Sequence, residues 1–239
     1  MRLLDLTLAT AEENLALDEA LLDEAESSGE VLETLRFWES ATPLVVVGRS
    51  SSIDREVNVS HCRELGLKVL RRTSGGAAIV TGRGCLMYSV VLSYEGRPAL
   101  RSLDQAHAFV LSTIAAALRS RVPQIARQGT SDLATGSLKC SGNSVRCKRR
   151  ALLYHGTLLY DFDLALIQRC LQMPPRVPEY RRGRSHDEFV TNLPLDAATI
   201  RAALVDAWGH PVLRTDFPQD YVAQLVAARY GQAAWNLGV

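Results

Sequence analysis

Between residues 35 and 95 the sequence reads as five strand-like runs with one short helix among them. LRFWES (35–40) and PLVVVGRS (43–50) come first, joined by a turn containing Pro43. A short helix over 58–65 follows, stopped by Gly66. KVLRR, AAIV and CLMYSVVLSYE then complete the block. Strands in this order cannot belong to a repeating strand–helix unit. The chain is therefore expected to be α+β, with a central mixed or mostly antiparallel sheet flanked by helices.

The flanking segments supply those helices. Thr10 and Glu13 form a capping-box signature ahead of NLALDEALLDEA, and this helix runs to Gly29. Ser102 to Gln105 open a long helix reaching about Arg121. SDLAT, LKCSGNSVR and RALLYHGTLLYDF form a second β-rich block. Asp163 is expected to cap a helix over LALIQRCLQ, which must stop before Pro174-Pro175. PRVPEYRRGRSHDEF (175–189) reads as an extended polar loop. Helices follow at about 196–208 and 217–229, and AAWNLGV reads as a short tail. No linker divides the chain, so residues 1–239 are expected to form a single domain.

Bulk properties exclude several classes. A formal charge of +1 over 239 residues advertises no nucleic-acid partner. Five cysteines without a CxxC pair fit reduced thiols better than a disulfide framework or a zinc site, and no metal is expected. No apolar run approaches the ~20 residues of a membrane helix, and the N-terminus lacks a secretory apolar region. The expected setting is cytoplasmic, with no membrane partner.

Three small-residue interruptions carry the chemistry. In KVLRRTSGGAAIV (68–80), Arg71 and Arg72 stand beside Ser74, Gly75 and Gly76. Glycine permits close backbone approach and arginine offers a fork of donors, a combination suited to an anionic ligand. Alone, Ser-Gly-Gly is also an ordinary turn. In LKCSGNSVR (138–146), Lys139 precedes a small-residue turn at Ser141-Gly142-Asn143, where its ammonium can meet phosphate or a developing oxyanion. A solvated surface lysine gives the same pattern. In LLYHGTLLYDF (152–162), His155-Gly156-Thr157 breaks an apolar strand, which marks a bulge or a close approach. Taken singly, His155 also reads as a core histidine. The runs Arg146–Arg150 and Arg181–Arg184 read as solvated loops that can receive an acidic protein or a diphosphate.

Together these segments resemble the lipoate–protein ligase A family, within the biotin/lipoate ligase and octanoyltransferase superfamily. NLALDEALL, VVVGRSSSIDREVN, RRTSGGAAIV, SDLATGSLKCSGNSVR, HGTLL, VTNLP and AAWNLG carry the likeness in order along nearly the whole chain. The resemblance implies a class II synthetase-like catalytic domain. It implies that Arg72, Ser74, Gly75, Gly76 and Ala77 wrap an acyl-adenylate, and that Lys139 contacts its carboxylate and phosphate. Ser141 and Gly142 accompany that lysine, His155, Gly156 and Thr157 line the acyl pocket, and Asp132 sits near the entry of the acceptor lysine. The implied substrates are lipoate or octanoate and ATP, with Mg2+ as its counter-ion. The implied partner is a lipoyl-domain protein. A separate accessory polypeptide is a further expectation, because the family's C-terminal domain is not found after AAWNLG. Three positions depart from the pattern: Ala77 replaces a third glycine, Thr81-Gly82 replaces a His-Asp turn, and Cys85 replaces an asparagine.

The implied activity is ATP-dependent ligation of lipoate or octanoate to a lysine. The alternative is an octanoyl- or lipoyl-transferase drawing on a protein-bound acyl donor. Cysteine-dependent transferases of the superfamily carry their nucleophile ahead of the lysine motif, where this chain reads RVPQIARQGTSDL.

Overall fold

The computed structural model describes residues 1–238. Eleven strands and eight α-helices build two sheets. The strands are β1 (Arg2–Asp5), β2 (Thr34–Trp38), β3 (Leu44–Val47), β4 (Lys68–Arg71), β5 (Ile79–Thr81), β6 (Cys85–Ser93), β7 (Ile125–Gln128), β8 (Asp132–Thr135), β9 (Leu138–Cys147), β10 (Ala151–Leu159) and β11 (Val212–Leu213). The helices are α1 (Ala11–Ser27), α2 (Ile53–Glu56), α3 (Val59–Glu64), α4 (Leu103–Leu118), α5 (Ala165–Cys170), α6 (Ala197–Ala207), α7 (Gln219–Leu225) and α8 (Ala233–Leu237). The large sheet runs β11-β1-β2-β6-β10-β9-β8-β7, and the small one runs β4-β3-β5. In the large sheet only β11-β1 and β1-β2 are parallel; the other neighbours are antiparallel. The expected α+β architecture with a mixed, mostly antiparallel sheet is what the chain adopts.

Alternation along the two central strands makes two cores. On β6, Leu86, Tyr88, Val90 and Leu92 face one side while Cys85, Met87 and Val91 face the other. On β10, Leu152, Tyr154 and Leu158 oppose Ala151, Leu153 and Leu159 in the same way. Both strands are buried along their whole length, so they read as near-continuous apolar runs. The first face is covered by α4, through Val110, Leu111 and Ile114, and by α6, through Ile200 and Leu204. The second is covered by α1, the small sheet and α7.

Several local readings are corrected. LRFWES and PLVVVGRS form strands as expected, but β2 enters the large sheet and β3 the small one. Ser141-Gly142-Asn143 is not a turn but lies inside continuous β9, opposite a register shift between Leu133 and Ala134 of β8. Asp163 does not cap α5; Leu164 holds the cap position, and the Asp163 carboxylate accepts from the Ala165 N–H instead. AAWNLGV is not a bare tail, since Ala233–Leu237 is helical. The capping box at Thr10 and Glu13 forms as expected, with both reciprocal bonds present.

Candidate active site

A cavity of about 450 Å³ opens where the small sheet and α1 meet the large sheet. That volume suits a drug-sized ligand. Its apolar wall is Leu15 of α1, Val46 of β3, Ile79 of β5 and Met87 of β6. One helix and three strands thus converge on one space.

The glycine segment between β4 and β5 forms one rim. Gly76 has φ +88°, a left-handed conformation that only glycine adopts without strain. Arg72 does not extend its fork into the cavity freely. Nε donates to Ser74 Oγ at 3.1 Å, one terminal nitrogen to Val46 O at 3.2 Å, and the other to Gly75 O at 2.5 Å and Ala77 O at 3.0 Å. Arg71 behaves alike, donating to the carbonyls of Gly48, Ser51 and Trp235. The two arginines mould the loop's backbone.

Behind that rim lies a buried polar chain. Ser74 Oγ is 2.5 Å from His155 Nε2, and His155 Nδ1 is 3.1 Å from Asp18 Oδ2. A carboxylate only accepts, so the Nδ1–H donates to Asp18. In the neutral ring Nε2 then accepts from the Ser74 hydroxyl, whose oxygen takes the Arg72 Nε–H. Asp18 Oδ1 also accepts from Arg36 at 2.5 Å and from Ser89 at 3.0 Å. Burial alone would raise the Asp18 pKa, but Arg36 and His155 outweigh it and hold the carboxyl below its usual range. The order Ser-His-Asp is that of a hydrolase triad, yet Ser74 has no exposed surface for a substrate to reach. The chain fastens the glycine segment to β10 and α1.

Lys139 and Asp132 stand on the opposite rim, on neighbouring strands β9 and β8. Lys139 Nζ lies 2.7 Å from Asp132 Oδ1, and Tyr180 donates to Asp132 Oδ2 at 2.8 Å. The ammonium lies over Gly142, where a Cβ would come within 3.1 Å of it. Gly156 meets a second close approach, since a Cβ there would fall 1.8 Å from Asn143 Oδ1. Asn143 and Gly156 are register partners across β9 and β10, and both line the cavity.

Of the residues marked by the sequence, Arg72, Gly76, Ala77, Asp132, Lys139, Gly142, His155 and Gly156 line the cavity. Ser74, Gly75, Ser141 and Thr157 do not. Ser74 stands behind the rim, Gly75 turns its carbonyl to Arg72 and Ser144, and Thr157 accepts from the Gly142 N–H at 3.2 Å. Ser141 bonds with the Asn143 side chain. Sequence reasoning missed Asp18, the apolar wall, and the third side of the cavity. That side is the 174–189 loop, which contributes Pro174, Arg176, Val177, Pro178, Arg181 and Phe189. The only sequence signal there was the basic run at 181–184.

Comparison with known proteins places this geometry. Residues 10–205 match the lipoyl protein ligase A/B catalytic domain. The chain belongs to that family. It is 34% identical to the lipoate-protein ligase A homologue of Aeropyrum pernix over 71% of this chain and 61% of that protein. It is 27% identical to the octanoyltransferase LipM of Symbiobacterium thermophilum over 99% of this chain and 97% of that protein. Against the ligases of Aeropyrum and Mycoplasma pneumoniae, the chain spans 61% and 45% of the relative's length. Among solved structures, the bi-partite lipoate protein ligase of Thermoplasma acidophilum, analysed with its E2 lipoyl domain, superposes with a TM-score of 0.82. Identity there is 23%, over 99% of this chain and 96% of that one. A lipoate-protein ligase A bound with ATP gives a TM-score of 0.80 at 24% identity, over 99% and 98%. The lipoyl-ligase fold is thereby established for this chain. No helix of the described residues is long and apolar enough to cross a membrane.

Proposed function

We propose that this family member is an enzyme that joins lipoate or octanoate to a lysine of a lipoyl-domain protein by way of ATP. The observation carrying this reading is the cavity's composition: an apolar wall, a lysine at its polar rim, and no cysteine in its lining. A free carboxylate is a poor acyl donor. Its oxygen attacks the α-phosphorus of ATP, pyrophosphate leaves, and a mixed anhydride results. The amine of the acceptor lysine then attacks the carbonyl carbon and loses its proton as AMP departs. Lys139 offsets the charge on phosphate and carbonyl oxygen in both steps. Leu15, Val46, Ile79 and Met87 hold the acyl chain, so the protein contributes chiefly positioning and electrostatics. ATP and its magnesium counter-ion enter as substrate, and the setting is cytoplasmic. The ATP-bound ligase neighbour and the lipoyl domain of the Thermoplasma system support this choice of nucleotide and acceptor.

A thioester-using octanoyltransferase is the second reading, favoured by the match to LipM along nearly the full length of both chains. The state of Cys140 opposes a version of it that uses that thiol. Cys140, beside Lys139, is fully buried, and burial pushes its thiol up to about 12. The test mixes the protein with an apo lipoyl domain and octanoate, lipoate or octanoyl-carrier protein, with and without ATP, and weighs the domain. A mass gain that requires ATP supports ligation. A gain only with octanoyl-carrier protein, without ATP, supports the transferase.

A further inference from the structure

Tyr88 of β6, Gly156 of β10 and Asn143 of β9 form one row across the large sheet, each the register partner of the next. Register partners share a face. Tyr88 belongs to the core under α4, whereas Ser144 and His155, beside Asn143 and Gly156 in the chain, point the other way to Gly75 and Asp18. Strands β6 and β9 are separated by two strand spacings, roughly 10 Å, too far for most side chains to meet. Gly156 puts no side chain between them, so the Tyr88 hydroxyl reaches Asn143 Oδ1 at 2.5 Å. A Cβ at Gly156 would fall 1.8 Å from that same oxygen. Burial holds the Tyr88 phenol well above its ordinary pKa, so the hydroxyl keeps its proton and donates. Asn143 Nδ2 faces away from the tyrosine, donating to Ser131 O at 2.8 Å and to Ser141 Oγ at 3.0 Å. A backbone carbonyl only accepts, which fixes the orientation of the amide. The side chain of Asn143 therefore ties the residue before Asp132 to the middle of the sheet.

We infer that Asn143 is a positioning residue for acyl transfer: through Ser131 it sets Asp132, and through Asp132 the Lys139 ammonium. Gly156 leaves the opening across which Tyr88 holds its amide. The inference rests on the acyl-transfer reading above. Asp132 and Lys139 lie on opposite sides of the irregularity in the β8–β9 ladder, so regular pairing does not by itself set their separation. The tie from Asn143 to Ser131 O supplies what the ladder leaves open. Its side chain lies on the face of the sheet turned from the apolar wall, so it acts on the ammonium and not on the acyl chain. Placement matters here because a displacement of about 1 Å in a reacting group can cost on the order of a hundredfold in rate.

Two measurements on the wild type, Asn143→Ala, Gly156→Ala, Asp132→Asn and the double variant Asn143→Ala/Asp132→Asn test this. The first is hydrogen–deuterium exchange of the 129–133 segment. Asn143→Ala should speed exchange there by about tenfold or more while β6 and β10 keep their protection, which shows the fold intact. Gly156→Ala, whose new Cβ displaces the amide, should do the same. The second is transfer to the lipoyl domain from octanoate with ATP and from octanoyl-carrier protein. With whichever donor the wild type uses, Asn143→Ala should lower kcat by about tenfold or more and leave KM for the donor within about twofold. The double variant should be no slower than Asp132→Asn alone, because a residue acting through Asp132 has nothing left to position. Losses that multiply in the double variant overturn the inference, as does unchanged exchange or unchanged kcat in Asn143→Ala. A rise in KM matching the fall in kcat overturns it too, since Asn143 would then support the acyl pocket. A wild type that transfers from neither donor removes the acyl-transfer reading. The exchange contrast then upholds the link from Asn143 to Asp132 if it is present and overturns it if absent.

Discussion

Lys139 Nζ rests 2.7 Å from Asp132 Oδ1, and the other oxygen of that carboxylate is held by Tyr180. Asp132 thus fixes where the ammonium waits, and the loop carrying Tyr180 fixes Asp132. The lysine side chain keeps 28% of its exposure, so this ion pair adds at most about 1 kcal/mol to stability. Its importance lies in placement.

Lys139→Ala should therefore leave melting nearly unchanged and lower acyl transfer by roughly a hundred- to a thousandfold, the usual effect of removing a preorganised charge donor. Lys139→Arg should fail too, because a planar fork is bulkier than the ammonium, which already packs so close over Gly142 that a Cβ there would come within 3.1 Å of it. Domain mass after a timed reaction checks both variants, and circular dichroism checks the fold.

Asp18→Asn should destabilise the protein by about 3–5 kcal/mol, because buried Arg36 loses its counter-charge. The effect has a pH signature. The Asp18 carboxyl is held below its ordinary value, so its stabilisation is complete above the unfolded pKa of about 3.9. It disappears as pH falls through the lower folded value. Melting curves of wild type and Asp18→Asn should stay well separated from pH 7 down to about 4 and converge in stronger acid. A constant separation through the acid range would mean that the Asp18 carboxyl has the same pKa in the folded and unfolded protein.

The architecture was legible in the strand-rich order of residues 35–95 and in the capping box, which are local signals. The three interrupted segments also converge on one cavity, because the small residues at 76, 142 and 156 leave room for the side chains of Arg72, Lys139 and Asn143 close to the backbone. What the sequence concealed was long-range. Asp18 sits 137 positions from His155, and Tyr180 sits 48 from Asp132. No spacing rule links such pairs. The fate of the arginines was hidden for a related reason. Arg72 and Arg181 are identical as letters, and only their neighbours decide that the first bonds to Ser74, Val46, Gly75 and Ala77 while the second bonds through Nε alone. The helical character of AAWNLG was missed because its stability comes from tertiary bonds, Trp235 Nε1 to Arg71 O at 2.9 Å and Arg71 N–H to Asn236 Oδ1 at 3.0 Å.

Replacing the five cysteines together should leave acyl transfer largely intact. Cys62, Cys85, Cys140 and Cys170 are buried free thiols. Burial pushes the first three up to about 12 and raises the fourth, so none offers a thiolate near neutral pH. Serine at these sites loses some packing, so alanine is the better replacement and transfer per folded molecule the proper readout. Loss of transfer in Cys140→Ala alone, with the fold kept, would point to a covalent acyl-enzyme.

ATP–pyrophosphate exchange, measured with and without lipoate or octanoate and in the absence of any acceptor, tests adenylate formation most directly. Exchange that appears only when the acid is present, and that Lys139→Ala abolishes, is the expected result. No exchange with either acid, together with ATP-independent transfer from octanoyl-carrier protein to the lipoyl domain, would contradict it.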